Sequence, residues 1–307
     1  MTRARRLAPH AGALAGSCLV GAAVVATRVA VEDIDPIGLA FLRYVQGAFL
    51  LFAVVLLTGS SPLAITRRDI RSFALLGILM FALFPVLFNT SLRYTSASRG
   101  AIILATMPLW SALLARRFRG ERLRSMQIAG VLCSFAGVLV VFAESALEPS
   151  GGTSAIVGNL LMLATALVGG LHAVLAKPIM SLHKPLLVTA WSMLAGAALL
   201  AIPAVLDGVP GQVTDASTKT LMLVLYLGSL GGAIAFWLFA ETLKRLGPTQ
   251  ALVYVNINPV VATLLASVFL DDMLSPTFGL GFLLVIAGLL MTNLRRHVNP
   301  FSRAGAR

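Results

Sequence analysis

Long apolar stretches follow one another along this chain, separated by short polar or charged breaks. Ten such stretches, each of roughly 20 residues, fall at 9–30, 36–57, 71–92, 98–116, 125–143, 155–176, 185–206, 219–240, 249–270 and 276–294. Each matches what an α-helix needs to cross a ~30 Å hydrocarbon layer. The runs are continuously apolar and do not alternate, so they lack the dyad repeat of a membrane β-barrel. The pattern predicts an all-α integral membrane protein with ten transmembrane helices.

The pattern also repeats. Shifting the sequence by 151 positions places Pro108 on Pro259, Gly130 on Gly281, Gly137 on Gly288, Gly77 on Gly228, and Leu113-Leu114-Ala115 on Leu264-Leu265-Ala266. Upstream, an offset of 149 places Gly21 on Gly170, Arg28 on Lys177 and Pro36 on Pro185. Glycine and proline mark backbone requirements rather than mere apolarity, so their recurrence at a fixed spacing indicates an internal duplication. The expected units are a first five-helix repeat at 8–144, a linker at 145–154, and a second repeat at 155–294, with basic tails at 1–7 and 295–307. The linker contains the one stretch rich in Gly, Pro and Ser, 148–154.

Composition agrees with a membrane location: 58% of the residues are hydrophobic and 12% charged, with a mean hydropathy of +0.91. Charge then orients the spans. With ten crossings, 19 of the 24 basic residues fall on the side of the two termini, including Arg67, Arg68, Arg71, Arg116, Arg117, Lys177 and Lys184. The other side carries most of the acids, among them Glu32, Asp33, Asp35, Asp207 and Asp215. The positive-inside rule puts both termini in the cytoplasm. The net charge of +12 then needs no nucleic-acid partner, because it is spread over loops facing anionic lipid.

Five helices per repeat is an odd number, so the second repeat must be inverted relative to the first. The loops agree: Arg116–Arg124 is basic where its mate around Asp271-Asp272 is acidic. Inverted repeats are typical of secondary transporters, whose substrate site lies near the midplane between the halves. A basic start followed by an apolar run also raises a signal peptide, and Leu14-Ala15-Gly16-Ser17-Cys18 is similar to a lipoprotein cleavage site. The alignment of this segment with the sixth span favours a retained helix, in which Gly12 and Gly16 let a neighbour approach closely. Cys18 and Cys133 imply neither a metal site nor a disulfide.

Polar residues within the spans are the candidates for a substrate pathway. Arg43 lies about two turns, ~10 Å, inside the second span. Such a cation either meets an anionic substrate group, pairs with Asp35 or Glu32, or clamps backbone carbonyls. Gln46 shares its face. Asn89 would line the outer mouth or hydrogen-bond between helices. Trp191 flanks the position that Arg43 maps to in the second half, so the second half lacks the cation. Gln250, Tyr254 and Asn258 are spaced to share a helical face ahead of Pro259. Pro108 and Pro259 free the carbonyls of Leu104 and Val255 and are hinge candidates, unless the kinks simply pack. Pro85 should loosen the third span. His172 and Glu241 are possible proton-coupling groups, against a packing role for the first and an ion pair with Lys244 or Arg245 for the second.

Around Arg93–Val141 the sequence reads LRYTSASRGAIILATMPLWSALLARRFRGERLRSMQIAGVLCSFAGVLVV, with Leu92 leading it. With its basic-Tyr-Thr-x-Ala start, Pro108, Ala115, the Gly120–Arg122 turn, Gly130 and Gly137, this run resembles the EamA-type repeat of the drug/metabolite transporter superfamily. Arg43 also resembles the family's usual arginine. The second copy departs at Asp271 and Asp272, which stand where the first has Gly120 and Glu121. The resemblance implies a ten-helix inner-membrane transporter, commonly an exporter of amino acids, other metabolites or amphipathic compounds.

Function is therefore expected to be secondary transport of a small-molecule substrate by alternating access, in contact with membrane lipid. No metal and no cofactor are expected. The alternative is a membrane protein that binds a ligand or scaffolds without moving it. Motifs for proteolysis, acyl transfer or ATP hydrolysis (H-E-x-x-H, G-x-S-x-G, a Walker A loop) do not occur, and an enzyme is not expected. Monomer and homodimer are both open.

Overall fold

The computed structural model describes residues 3–58, 65–119, 125–146, 152–246, 254, 257–270 and 275–293. Among them there is helix and no strand. Polar caps start the helices. Asp35 accepts from the Ile37 amide and Pro36 supplies the first turn of α2 (Pro36–Leu57). Thr66 and Asp69 form a capping box at α3 (Arg67–Gly77). Ser96 caps α5 (Ala97–Leu104), which follows α4 (Phe84–Tyr94) after a break of two residues. Ser217 caps α11 (Thr218–Gly228).

The remaining helices are α1 (Arg3–Ala30), α6 (Met107–Arg119), α7 (Ser125–Ala146), α8 (Gly152–Leu182), α9 (Pro185–Leu206), α10 (Val209–Asp215), α12 (Ala235–Leu246), α13 (Ile257–Phe269) and α14 (Pro276–Asn293). Among the described residues, seven apolar segments are long enough to span a membrane, and three shorter ones lie at Ile128–Val141, Ile257–Phe269 and Pro276–Gly288. Together they fall on the ten apolar stretches of the sequence. Leu57, Leu182, Leu206, Ile202, Val268 and Phe49 project from the surface, where water would penalise them and lipid chains would not. This is a multi-pass membrane protein.

Two differences from the sequence pattern stand out. The short helix α10, entered through Gly208 at φ 78°, was not expected, because its composition reads as a loop. The helices also reach into the segments expected as tail and linker: α1 includes residues 3–7, and α8 includes residues 152–154. The Gly120–Arg122 turn, Asp271 and Asp272 lie outside the described residues.

Helices at equivalent positions of the two halves pack on one another. A Cβ on Gly137 would lie 2.6 Å from the Gly281 carbonyl oxygen, and Gly288 abuts Gly130 and Ser134. Helices α7 and α14 thus run antiparallel, with small residues permitting backbone contact. Helices α2 and α9, each 22 residues long, also cross antiparallel: Ala40 clusters with Leu200, and Gly47 meets Met193. Helix α1 packs on α12 and α13, and its equivalent α8 packs on α4 and α6. Gly16 takes up Leu238 of α12, with Gly12 one turn away facing the same side chain, as the spacing of these glycines suggests.

The third and eighth spans are each interrupted by a π-helical turn, π1 (Ile78–Leu83) and π2 (Ser229–Ile234). The two turns are 151 positions apart. Pro85 follows π1 and fits the loosening expected there, but Phe236 holds that place after π2, so proline is not the common cause.

Candidate functional site

The site is built where α2 crosses the π2 turn. Arg43 lies within ~5 Å of the middle of the 22-residue α2, deeper than its distance from Pro36 alone conveys. It is 8% exposed. The acids considered as partners are engaged elsewhere: Arg28 Nη1 pairs with Glu32 at 2.6 Å, and Arg93 Nη1 with Asp35 at 3.3 Å. Arg43 instead donates from Nη2 to the Gly231 carbonyl of π2 at 3.2 Å, and its Nε has no partner among the described residues. Its guanidinium carbon lies 5.3 Å from the centre of the Tyr44 ring. A buried guanidinium with one carbonyl bond is under-satisfied, because it carries five donors.

Gln46 continues this face one turn on. It presses on Gly228, whose added Cβ would lie 2.8 Å from Gln46 Cβ, and its Oε1 is buried without a partner. Gly228 has no side chain, and only that lets α2 reach the turn. The equivalent crossing in the other half places Gly77 against the Ser192 carbonyl and the Ala195 methyl, with Ser192 Oγ buried and unpartnered. The two crossings therefore share a backbone geometry and differ in chemistry, with Arg and Gln on one side and Ser and Ala on the other.

Beside this seam sits an aromatic group. Tyr44 meets Phe81 edge-on at 5.1 Å, Phe81 meets Phe236 at 5.4 Å, and Trp191 meets Phe52 at 5.2 Å. Trp191 packs against the core cluster containing Tyr44, Phe81 and Met193 and is part-buried there.

The other sequence candidates fall into two groups. Asn89 is a clasp rather than a mouth residue: its Nδ2 donates to the Pro36 carbonyl at 2.9 Å, and it is 1% exposed. Tyr254 reaches the first helix, with its hydroxyl 2.7 Å from His10 Nδ1. Asn258 lies in α13, where its backbone carbonyl abuts Gly21, and its side-chain oxygen is buried without a partner among the described residues. Gln250 and the side chain of Glu241 lie outside the described residues. His172 is half-buried on α8. At Pro108 the span breaks: α5 stops at Leu104, α6 starts at Met107, and the Thr106 hydroxyl donates to the Ile103 carbonyl at 2.6 Å. Pro108 therefore stands at a helix start, where its missing N–H costs nothing. Pro259 is buried in Ile257–Phe269, and Val255, whose carbonyl it was expected to free, lies outside the described residues.

The π turns were not legible in the sequence. Neither SLGGAI nor ILMFAL holds a residue that demands such a turn.

Comparison with known proteins fits this architecture. The family model of the EamA-like transporter family matches residues 9–143 and 156–294. The chain is 30% identical over 275 residues to the "Probable terminal-alkyne amino-acid exporter" of Streptantibioticus cattleyicolor, covering 88% of each chain. It is 24% identical over 274 residues to the "Uncharacterized transporter YyaM" of Bacillus subtilis, covering 89% of this chain and 90% of that one. It is 25% identical over 308 residues to the "Uncharacterized inner membrane transporter YedA" of Escherichia coli K12, covering 97% and 95%. A solved crystal structure shares its fold with TM-score 0.62 at 20% identity, over 94% of this chain and 96% of that one.

Proposed function

The chain belongs to the EamA-like transporter family, and we propose that it is a secondary carrier that exports small carboxylate-bearing metabolites, amino acids foremost, by alternating access. The observation that carries this reading is Arg43, a buried cation near mid-span with no acidic partner among the described residues, resting on a backbone carbonyl of the other half. A substrate carboxylate would satisfy the donors that Gly231 leaves open, and the bidentate fork of arginine suits it. Gln46 supplies a second polar group at the seam. The exporter relative adds support for direction and substrate class.

The carrier has two five-helix halves of opposite orientation, ten crossings in all, with both termini in the cytoplasm of a bacterial inner membrane. Antiparallel packing of equivalent helices supports the inversion. The basic loops at the α2–α3 and α8–α9 turns support the sidedness. The π turns are the flexible points at which each half can bend, with a further break at Pro108 and Pro259 as its hinge counterpart. The chain acts without cofactor and is not an enzyme.

Counterflow of labelled amino acids into proteoliposomes tests the substrate. Movement of carboxylate-bearing solutes, lost in Arg43→Ala, is expected; no movement of any such solute, or unchanged flux in that variant, overturns the assignment. Labelling of cysteines placed after Ala115 and after Leu270 tests the inversion. Emergence on the same side would end the carrier reading. The packed aromatic group at the seam favours, as the second reading, a membrane protein that holds a ligand without moving it. Absence of flux with retained ligand binding would select that one.

A further inference from the structure

At each end of the molecule a side-chain contact ties the two halves, and the two contacts occupy equivalent positions; at one end the Asp35 amide also donates to Gln212 Oε1 at 2.8 Å. At the end where α1 finishes, Asp33 Oδ2 accepts from the hydroxyls of Thr220 at 2.5 Å and Ser217 at 3.2 Å, at the start of α11. At the opposite end, where α8 finishes, His183 Nε2 lies 2.9 Å from Asp69 Oδ1, at the start of α3. Thr66 and Asp69 are 151 positions before Ser217 and Thr220, and Asp33 is 150 positions before His183. In both contacts a loop between the first two helices of one half reaches the capped start of the third span in the other half.

Resting on the carrier reading above, we propose that these contacts are the paired gate latches of the alternating cycle, and that the His183–Asp69 latch is the one set by pH. One latch must open while the other holds, since each spans the seam at its own end. Their chemistry differs. A carboxylate held by two hydroxyls keeps its charge throughout the neutral range. A histidine changes charge between about pH 5 and 8, turning a neutral hydrogen bond into an ion pair and tightening the contact on acidification.

The surroundings of His183 leave Asp69 as the anion that answers it. The Phe73 ring covers it edge-on at 5.3 Å. The other charged groups on the described elements packed here are cations: Arg67, Arg68 and Arg71 of α3, Lys177 of α8, and Lys184 ahead of α9. Thr66 holds Asp69 Oδ2 through its amide and hydroxyl, which fixes Oδ1 toward the histidine.

The test uses the full chain in liposomes with Cys18 and Cys133 replaced by Ser. Spin labels go at Arg68→Cys and Leu182→Cys for one end, and at Glu32→Cys and Thr218→Cys for the other. Dipolar broadening is then read at about pH 5.5 and pH 8, either side of the ordinary histidine value. The ratio of separated to latched molecules at the His183 end should rise roughly threefold to tenfold at the higher pH, as for a partly exposed ion pair. The Asp33 end should show no rise. His183→Gln and, separately, Asp69→Asn should each remove the response. A wild-type His183 end indifferent to pH, or a response surviving in either variant, overturns the proposal. Because distance is read rather than flux, a failed substrate assignment and a failed latch are told apart.

Discussion

Ser134 donates its hydroxyl to the carbonyl of Val285 at 3.2 Å, and Val285 is its own equivalent, 151 positions along the chain. Cys133 repeats the relation with Leu284 at 3.4 Å. Two helices meeting at equivalent residues while running antiparallel are related by a local two-fold axis. The halves are therefore interlocked, and the glycines around this point decide how closely they approach.

Gly137→Ala should weaken that lock. The new methyl would sit 2.6 Å from the Gly281 carbonyl oxygen and 2.9 Å from the Val285 amide nitrogen, and backbone must move to admit it. A loss of about 1–3 kcal/mol is expected, read as a lower melting temperature in detergent. Gly279→Ala meets nothing within 4 Å and should leave the melting temperature unchanged.

Arg43→Met should separate stability from function. It removes a buried, poorly satisfied charge while keeping most of the volume, and apolar replacement of buried ionic groups is neutral or stabilising. The melting temperature should stay level or rise by about 2 °C, while transport of carboxylate-bearing solutes falls at least tenfold, the cost of one charged contact. A large fall in melting temperature would mean that the Gly231 contact is structural.

Gly228→Ala should act on the same site from the opposite helix. Its methyl would push on Gln46 Cβ and force α2 away from π2, breaking the Arg43–Gly231 contact as well. Reduced flux and reduced stability, by about 1–3 kcal/mol, are expected together. Gly211→Ala, which meets nothing within 4 Å, is the silent control.

Acid should loosen the end held by Asp33. The Thr220 hydroxyl, with help from Ser217 and Lys219, holds this carboxyl below its ordinary value of 3.8. The folded-state value is thus lower than that of the unfolded chain. The carboxylate's contribution is complete above the ordinary value and disappears as pH falls through the lowered one. Thr220→Val should remove the largest cause of the shift. Melting temperatures measured from neutral pH down to about pH 3 should show a smaller acid-side loss from this group in the variant than in the wild type.

The apolar stretches determined the helices, because in lipid every backbone group must be satisfied within its own segment and length alone then marks a span. The spacing of Gly12 and Gly16 likewise announced the close approach that Leu238 makes there. Tertiary structure alone decided the partners. Whether Arg43 met Asp35, Glu32 or a carbonyl could not be read from spacing, because the acids were claimed by Arg93 and Arg28 and the carbonyl came from a residue 188 positions away. The π turns escaped the sequence for a similar reason. An extra residue in a helical turn is held by the neighbour that packs on it, here Gln46 on Gly228 and Ser192 on Gly77, and such neighbours are set by the crossing of helices far apart in the chain.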